Sequence, residues 1–174
     1  MIGFYLIDKP EGATSHDVVD TVRRITGKKR VGHSGTLDPF ATGLLIVGVG
    51  REATTRLGEL SGLDKEYEAE FVLGELRDTD DKTGAVLSDT HRHLSVAKAD
   101  IEALMKKFMG EIEQVPPQYA AVKIKGKKMY EMARRGQRVE AKARKIKVIE
   151  FELVEGPLTG STDSPHADSG NLHI

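Results

Sequence analysis

From Glu66 to Phe71 acidic and apolar residues alternate strictly: Tyr67, Ala69 and Phe71, continued by Leu73, fall on one side, Glu66, Glu68 and Glu70 on the other. A repeat of two puts successive side chains on opposite faces, so residues 67–73 are predicted as a half-buried strand. Elsewhere the repeat is three to four. Val18, Val19, Val22 and Ile25 share a helical face behind Ser15, an N-cap candidate, and Gly27 is placed to end that helix. Ile101, Leu104, Met105, Phe108 and Met109 form a second stripe, with Ser95 as cap and Gly110 as terminator. Short apolar runs at 3–8, stopped by Lys9-Pro10, and at 44–49 predict buried strands, residues 54–60 a short helix, and 147–153 a last strand. Helices and strands intermix without a βαβ rhythm, which predicts an α+β domain over residues 1–155, a mixed β-sheet with flanking helices. Residues 156–174 lose all periodicity and are rich in Gly, Ser, Asp and Pro, so they are predicted as a polar, disordered tail.

Composition narrows the function classes. At 174 residues, 39% hydrophobic and 30% charged, the chain suits one domain with a strongly charged surface. No apolar run approaches the length of a membrane span, and the first ten residues lack the basic and apolar regions of a signal peptide. The absence of Cys excludes disulfides, thiolate catalysis and Cys-based zinc sites, and a cytoplasmic setting is expected. The net charge of -1 hides a strong asymmetry. Residues 123–147 hold 11 Lys and Arg against two acids, which leaves the rest of the chain acidic. A basic stripe on an acidic body is the footprint of phosphate binding, and Tyr119, Tyr130, Gly126 and Gly136 make it more contact-prone than a solvated helix face.

Chemistry concentrates in GHSGTLDPFATGLL, residues 32–45. Asp38 precedes Pro39, which biases it toward extended geometry, and Gly32, Gly35 and Gly43 permit sharp turns or close approach to a ligand. His33, Ser34 and Thr36 add a ring and two hydroxyls. On residues alone, Asp38 is either a nucleophile or general base in a loop, or part of a turn in which it and Thr36 bond their own backbone. Metal and nucleotide motifs fit poorly. RDTDDKTG has Thr83 where a calcium loop needs glycine, so Asp81 and Gly84 are expected to shape a hairpin turn. His91 and His93 lack partners at metal spacing, and GVGREAT lacks the lysine of a P-loop.

The same loop resembles the signature of the TruB family of pseudouridine synthases, in which the Asp of GTLDP is catalytic. IDKPEGATSHDVV (7–19) resembles the family's first motif, and DKEYEAEFVLGELRDTDDKTG (64–84) the strand that carries its active-site tyrosine, here Tyr67. VPPQYAAVKIKGKKMYEMARRGQRVE (115–140) resembles the RNA-gripping insertion of the bacterial branch, so the resemblance spans residues 3–154. It implies the pseudouridine synthase fold and isomerisation of uridine at position 55 in the T loop of tRNA. Asp38 would act as nucleophile on ribose C1′ or as base at C2′, with no cofactor and no metal. His33 would stack where the target base leaves the RNA, and Tyr67 would pack on the extruded uracil. Thr36, Lys9, Lys123, Lys125, Tyr130 and Arg134 complete the expected substrate-binding set, with Lys9-Pro10 expected to support the Asp38 loop rather than do chemistry.

The family pattern continues with a GTYIR-like strand, whose Arg pairs with the catalytic carboxylate, and with an LRR-like segment; neither follows Glu155 here. The expectation is therefore the N-terminal part of the catalytic domain, C-terminally truncated. Its alternative role is an RNA stem-loop-binding fragment without activity, or half of a split enzyme completed by a second polypeptide.

Overall fold

The run GFYLIDK forms strand β1 (Gly3–Lys9), followed by helix α1 (Ser15–Thr26), β2 (Val31–His33), β3 (Gly43–Val49) and α2 (Arg51–Ser61). The computed structural model describes residues 1–89, 96–116, 123–124, 127–128, 132, 141–154 and 169–173. These fall into two compact units, Met1–Asp64 and Lys65–Ile174.

In the first unit β3 is the middle strand of an antiparallel sheet ordered β1-β3-β2. Its register places Ile7 opposite Leu45, Tyr5 opposite Val47, and Gly32 of β2 opposite Gly48. One face is covered by α1. Val18, Val19 and Val22 of the helix meet Val31, Leu45, Val47 and Val49, with Tyr5, Ile7 and Leu37 packed against them. Burying each such side chain stabilises by ~1.5–3 kcal/mol, so this valine-rich seam is the main adhesive of the unit. Helix α2 lies over the paired glycines of the other face. A Cβ on Gly48 would stand 3.2 Å from the Ala53 backbone and 3.2 Å from Leu57 Cδ2, so the close approach of helix to sheet requires glycine there.

Helix α1 starts one residue earlier than its pattern suggests. Thr14 is the N-cap: its hydroxyl accepts from the Asp17 N–H while the Asp17 carboxylate accepts from the Thr14 N–H, a reciprocal capping box. Gly27 ends the helix in the left-handed region at φ 66°, donating to the Arg23 carbonyl.

The second unit contains β4 (Glu68–Val72), β5 (Glu75–Arg77), β6 (Val86–Asp89), α3 (Lys98–Met105), β7 (Gly110–Gln114), β8 (Lys123–Ile124), β9 (Lys127–Lys128), β10 (Arg144–Val148), β11 (Glu152–Val154) and β12 (Ser169–His173). Its strands make antiparallel sheets ordered β10-β7, β11-β12-β4, β5-β6 and β8-β9. The β5–β6 turn is the expected hairpin, closed by the Gly84 N–H on the Asp81 carbonyl. The Asp81 carboxylate accepts from Thr79 and from the hydroxyl and N–H of Thr83. Partial burial pushes its pKa up, but the bonds led by Thr83 outweigh that and hold it below the ordinary value.

Several expectations differ from the structure. The helix of the second stripe is capped at Ala97 and ends at Met105, short of Gly110, which begins β7. The strand predicted at 147–153 is two strands, because the chain leaves β10 after Val148 and re-enters a different sheet at Glu152. Alternation at 67–73 does mark a strand, yet Tyr67 is 48% and Phe71 46% exposed, since a period of two reports the pleat and not the presence of a covering layer. Inside the stretch 156–174, predicted as a disordered tail, Ser169–His173 forms a strand. It lies between β4 and β11, with Leu172 in register with Ala69 and Leu153. Main-chain hydrogen bonds on both sides hold a strand in that place without an apolar run, which composition cannot register. Ser95 and the polar residues 155–168 lie outside the described residues.

Candidate active site

Asp38 lies in the loop between β2 and β3, and its backbone is held from both sides by the segment between β1 and α1. On one side Leu37 sends its side chain into the valine core, while its N–H donates to Ser15 Oγ at 2.9 Å and its carbonyl accepts from the same hydroxyl at 3.2 Å. On the other side the Pro39 carbonyl accepts from the Gly12 N–H at 2.7 Å and from Lys9 Nζ at 3.3 Å. The Asp38 carbonyl closes a tight turn by accepting from the Ala41 N–H at 3.1 Å. With Leu37 anchored inward and extended geometry favoured before Pro39, the Asp38 side chain is directed outward and is exposed. An exposed carboxylate on an immobilised backbone is what a reacting acid requires.

Lys9 supplies much of that immobilisation. It is wholly buried, and its ammonium also donates to the carbonyls of Ala13 at 2.7 Å and Pro10 at 3.0 Å. The substrate-binding role implied for Lys9 is therefore corrected: its donors are directed at the protein's own carbonyls, and it supports the Asp38 loop.

His33 ends β2, half-buried, with Nδ1 shielded from solvent and no hydrogen-bond partner among the described residues. Thr36 is exposed two residues before Asp38. The loop is tied further by the Ser34 N–H on the Ile46 carbonyl and by Ser61 Oγ on the Ser34 carbonyl. Gly32, expected to permit a sharp turn or close approach to a ligand, accommodates Leu57 of α2, whose Cδ1 would lie 3.1 Å from an added Cβ.

The other candidates belong to the second unit. Tyr67 directly precedes β4 and presents an exposed ring. Lys123 begins β8 in the small β8–β9 hairpin, whereas Lys125, Tyr130 and Arg134 lie outside the described residues. The far end of the basic stripe lies on β10 and is exposed. On β10, Lys145 pairs in register with Glu113 and Lys147 with Glu111, while Arg144 donates to Gln114 Oε1 at 3.0 Å. Opposite charges across a strand pair compensate one another. The described residues contain no cluster of three or more potential metal ligands, and no helix among them is long and apolar enough to cross a membrane.

Residues 23–163 match the family model described as TruB family pseudouridylate synthase (N terminal domain). The chain belongs to the TruB family. It is similar to proteins named tRNA pseudouridine synthase B: 45% identical to that of Geobacillus thermodenitrificans, over 89% of this chain and 51% of the relative. The identity is 46% with that of Thermobifida fusca (95% and 56%) and 48% with that of Opitutus terrae (87% and 62%). The chain spans about half the length of the curated relatives it matches. Among solved structures it is similar to a chain of a Cbf5-Nop10-Gar1 complex, with TM-score 0.65 and 28% identity over 99% of this chain and 38% of that one. A chain in a structure of an H/ACA RNP bound to a substrate RNA containing 2'-deoxyuridine gives TM-score 0.62 and 26% identity, over 99% and 37%.

Within this TruB-family loop, the residue pattern singled out Asp38 as a candidate but missed most of what holds its backbone. Ser15 had the role of helix cap, and neither Gly12 nor the inward-facing Leu37 stood out. The available signal was local: two adjacent hydroxyl residues, Thr14-Ser15, where one cap is needed, leave the second hydroxyl for another partner.

Proposed function

We propose that this chain isomerises uridine to pseudouridine at position 55 in the T loop of tRNA, with Asp38 as the reacting carboxylate. The observation that carries this reading is TruB family membership, joined to 45–48% identity with proteins named tRNA pseudouridine synthase B. The reaction breaks the bond between N1 and ribose C1′, turns the uracil, and joins its C5 to C1′. The C5 proton leaves and N1 gains one, so atoms and electrons balance without a cofactor. Asp38 acts either by attacking C1′ or by taking a proton from C2′, and both routes start from a carboxylate on a fixed backbone.

A uridine inside folded RNA must be turned out before a carboxylate can reach its ribose. In this reading His33 stacks where the base has left and Tyr67 packs on the extruded uracil, each contact contributing ~1–3 kcal/mol. Thr36 lends a hydroxyl beside the acid, and Lys123, Lys125, Tyr130 and Arg134 grip the stem-loop backbone. A tRNA substrate goes with a cytoplasmic location.

The basic stretch at residues 123–147 favours a second reading, in which the chain binds the stem-loop without converting it. One experiment separates the two. The purified chain and its Asp38→Ala variant are given a T-arm stem-loop, and pseudouridine and binding are both measured. Conversion by the parent alone, with equal binding by both, supports the first reading; equal binding with no conversion by either supports the second. In both, affinity falls steeply with salt as phosphate counterions are released, and a flat salt response contradicts both.

A further inference from the structure

We propose that Ser15 is a positioning residue for the Asp38 carboxylate, an inference that rests on the catalytic reading of Asp38. The Ser15 side chain is 3% exposed, and one hydroxyl serves both main-chain groups of Leu37, accepting from the N–H at 2.9 Å and donating to the carbonyl at 3.2 Å. A side chain that both accepts from and donates to one residue takes the place of a neighbouring strand's peptide group, and so orients both peptide planes of Leu37. The peptide that follows is the one that carries Asp38. With the Leu37 side chain packed against the core, the two hydrogen bonds fix the backbone from which the Asp38 carboxylate projects.

The helix cap does not need Ser15. Thr14 and Asp17 satisfy the start of α1 between themselves, so the Ser15 hydroxyl is committed to the loop 22 residues away. The start of α1, held to the sheet by Val18, Val19 and Val22, thereby becomes a fixed post from which Ser15 sets the approach to Asp38. Lys9 and Gly12 brace Pro39, on the far side of Asp38, and cannot substitute for a bond to Leu37.

The test uses the full chain with four variants: Ser15→Ala, Ser15→Cys, Thr14→Ala and Asp38→Asn. Kinetics on a T-arm stem-loop are combined with amide exchange at Leu37. Ser15→Ala is expected to lower kcat about 10- to 100-fold, the scale of a misplacement near 1 Å, with KM within twofold and faster exchange at Leu37. Ser15→Cys keeps the volume with a weak hydrogen-bonding group and is expected to fall in between; it decides the question if Ser15→Ala does not fold. Thr14→Ala weakens the helix cap without touching Leu37, and its kcat is expected to stay near the parent's. Retained kcat in the Ser15 variants, or an equal loss in Thr14→Ala, overturns the inference. A parent chain that converts no uridine, or an Asp38→Asn variant that still does, overturns the catalytic reading instead. In the inactive case unchanged Leu37 exchange in Ser15→Ala overturns the positioning role, and faster exchange supports it.

Discussion

Replacing Lys9 by Met keeps an unbranched side chain of similar reach and removes the buried ammonium, which isolates what that charge does. The ammonium meets three carbonyls, at 2.7, 3.0 and 3.3 Å, inside a residue with no exposed surface. Each charge-assisted bond is worth ~1.5–3 kcal/mol, set against several kcal/mol for removing the ion from water. Loss of the donor is not felt equally. The Pro39 carbonyl keeps the Gly12 N–H at 2.7 Å, and Pro10 is exposed enough for water to reach its carbonyl, but Ala13 is half-buried and loses its shortest bond. One stranded carbonyl plus the lost tie between the two loops gives a destabilisation of about 2 kcal/mol. That corresponds to a Tm lowered by about 4–8 °C for a protein of this size. If the opening is local, exchange at the Gly12 amide rises about 30-fold. Lys9→Arg is expected to fare no better, because a planar guanidinium cannot point at three carbonyls grouped around one nitrogen. Thermal unfolding and amide exchange of Lys9→Met together make the assay. A Tm within 1 °C of the parent, with unchanged exchange at Gly12, refutes the assignment of Lys9 as the brace of the Pro39 side of the loop.

Gly48→Ala is expected to cost ~1–3 kcal/mol in urea unfolding, since the new methyl meets the Ala53 backbone, whereas Gly32→Ala meets only the end of the Leu57 side chain and costs less; the reverse order contradicts the described packing of α2. Hydrogen bonds from the Thr14 hydroxyl, and then from its N–H, hold the Asp17 carboxyl below its ordinary pKa. A depressed folded value stabilises the fold above the ordinary carboxyl range and loses that effect as pH falls through the folded value. Asp17→Asn should therefore flatten the unfolding curve of α1 below about pH 4, and an unchanged acid limb counts against the capping box.

How much of this was legible in the sequence depended on whether a feature is local. Valines at 18, 19 and 22 marked the buried face of α1, and the run after Gly43 marked β3, because each is set by its own periodicity. Gly27 and the Asp81–Gly84 turn were legible for the same reason: a left-handed cap and a hairpin turn are properties of a few consecutive residues. The brace around Asp38 is not local. It joins residues 9–15 to 37–39, and nothing in the spacing of either segment records that Ser15 reaches Leu37 or that Lys9 reaches Pro39. Lys9 was expected to support the Asp38 loop, but nothing in the sequence showed that its ammonium would do so buried among three carbonyls. Strand β12 escaped for a related reason: its partners, β4 and β11, determine it more than its own composition does.

Release of the C5 hydrogen measures the central claim most directly, because joining C5 to C1′ expels it. A T-arm stem-loop carrying tritium at C5 of the target uridine is incubated with the chain and with Asp38→Asn, and label passing into water is counted. The expected result is release by the parent in step with pseudouridine formation, and none above background from Asp38→Asn at equal RNA binding. Release by Asp38→Asn at the parent's rate contradicts the assignment of Asp38 as the reacting carboxylate.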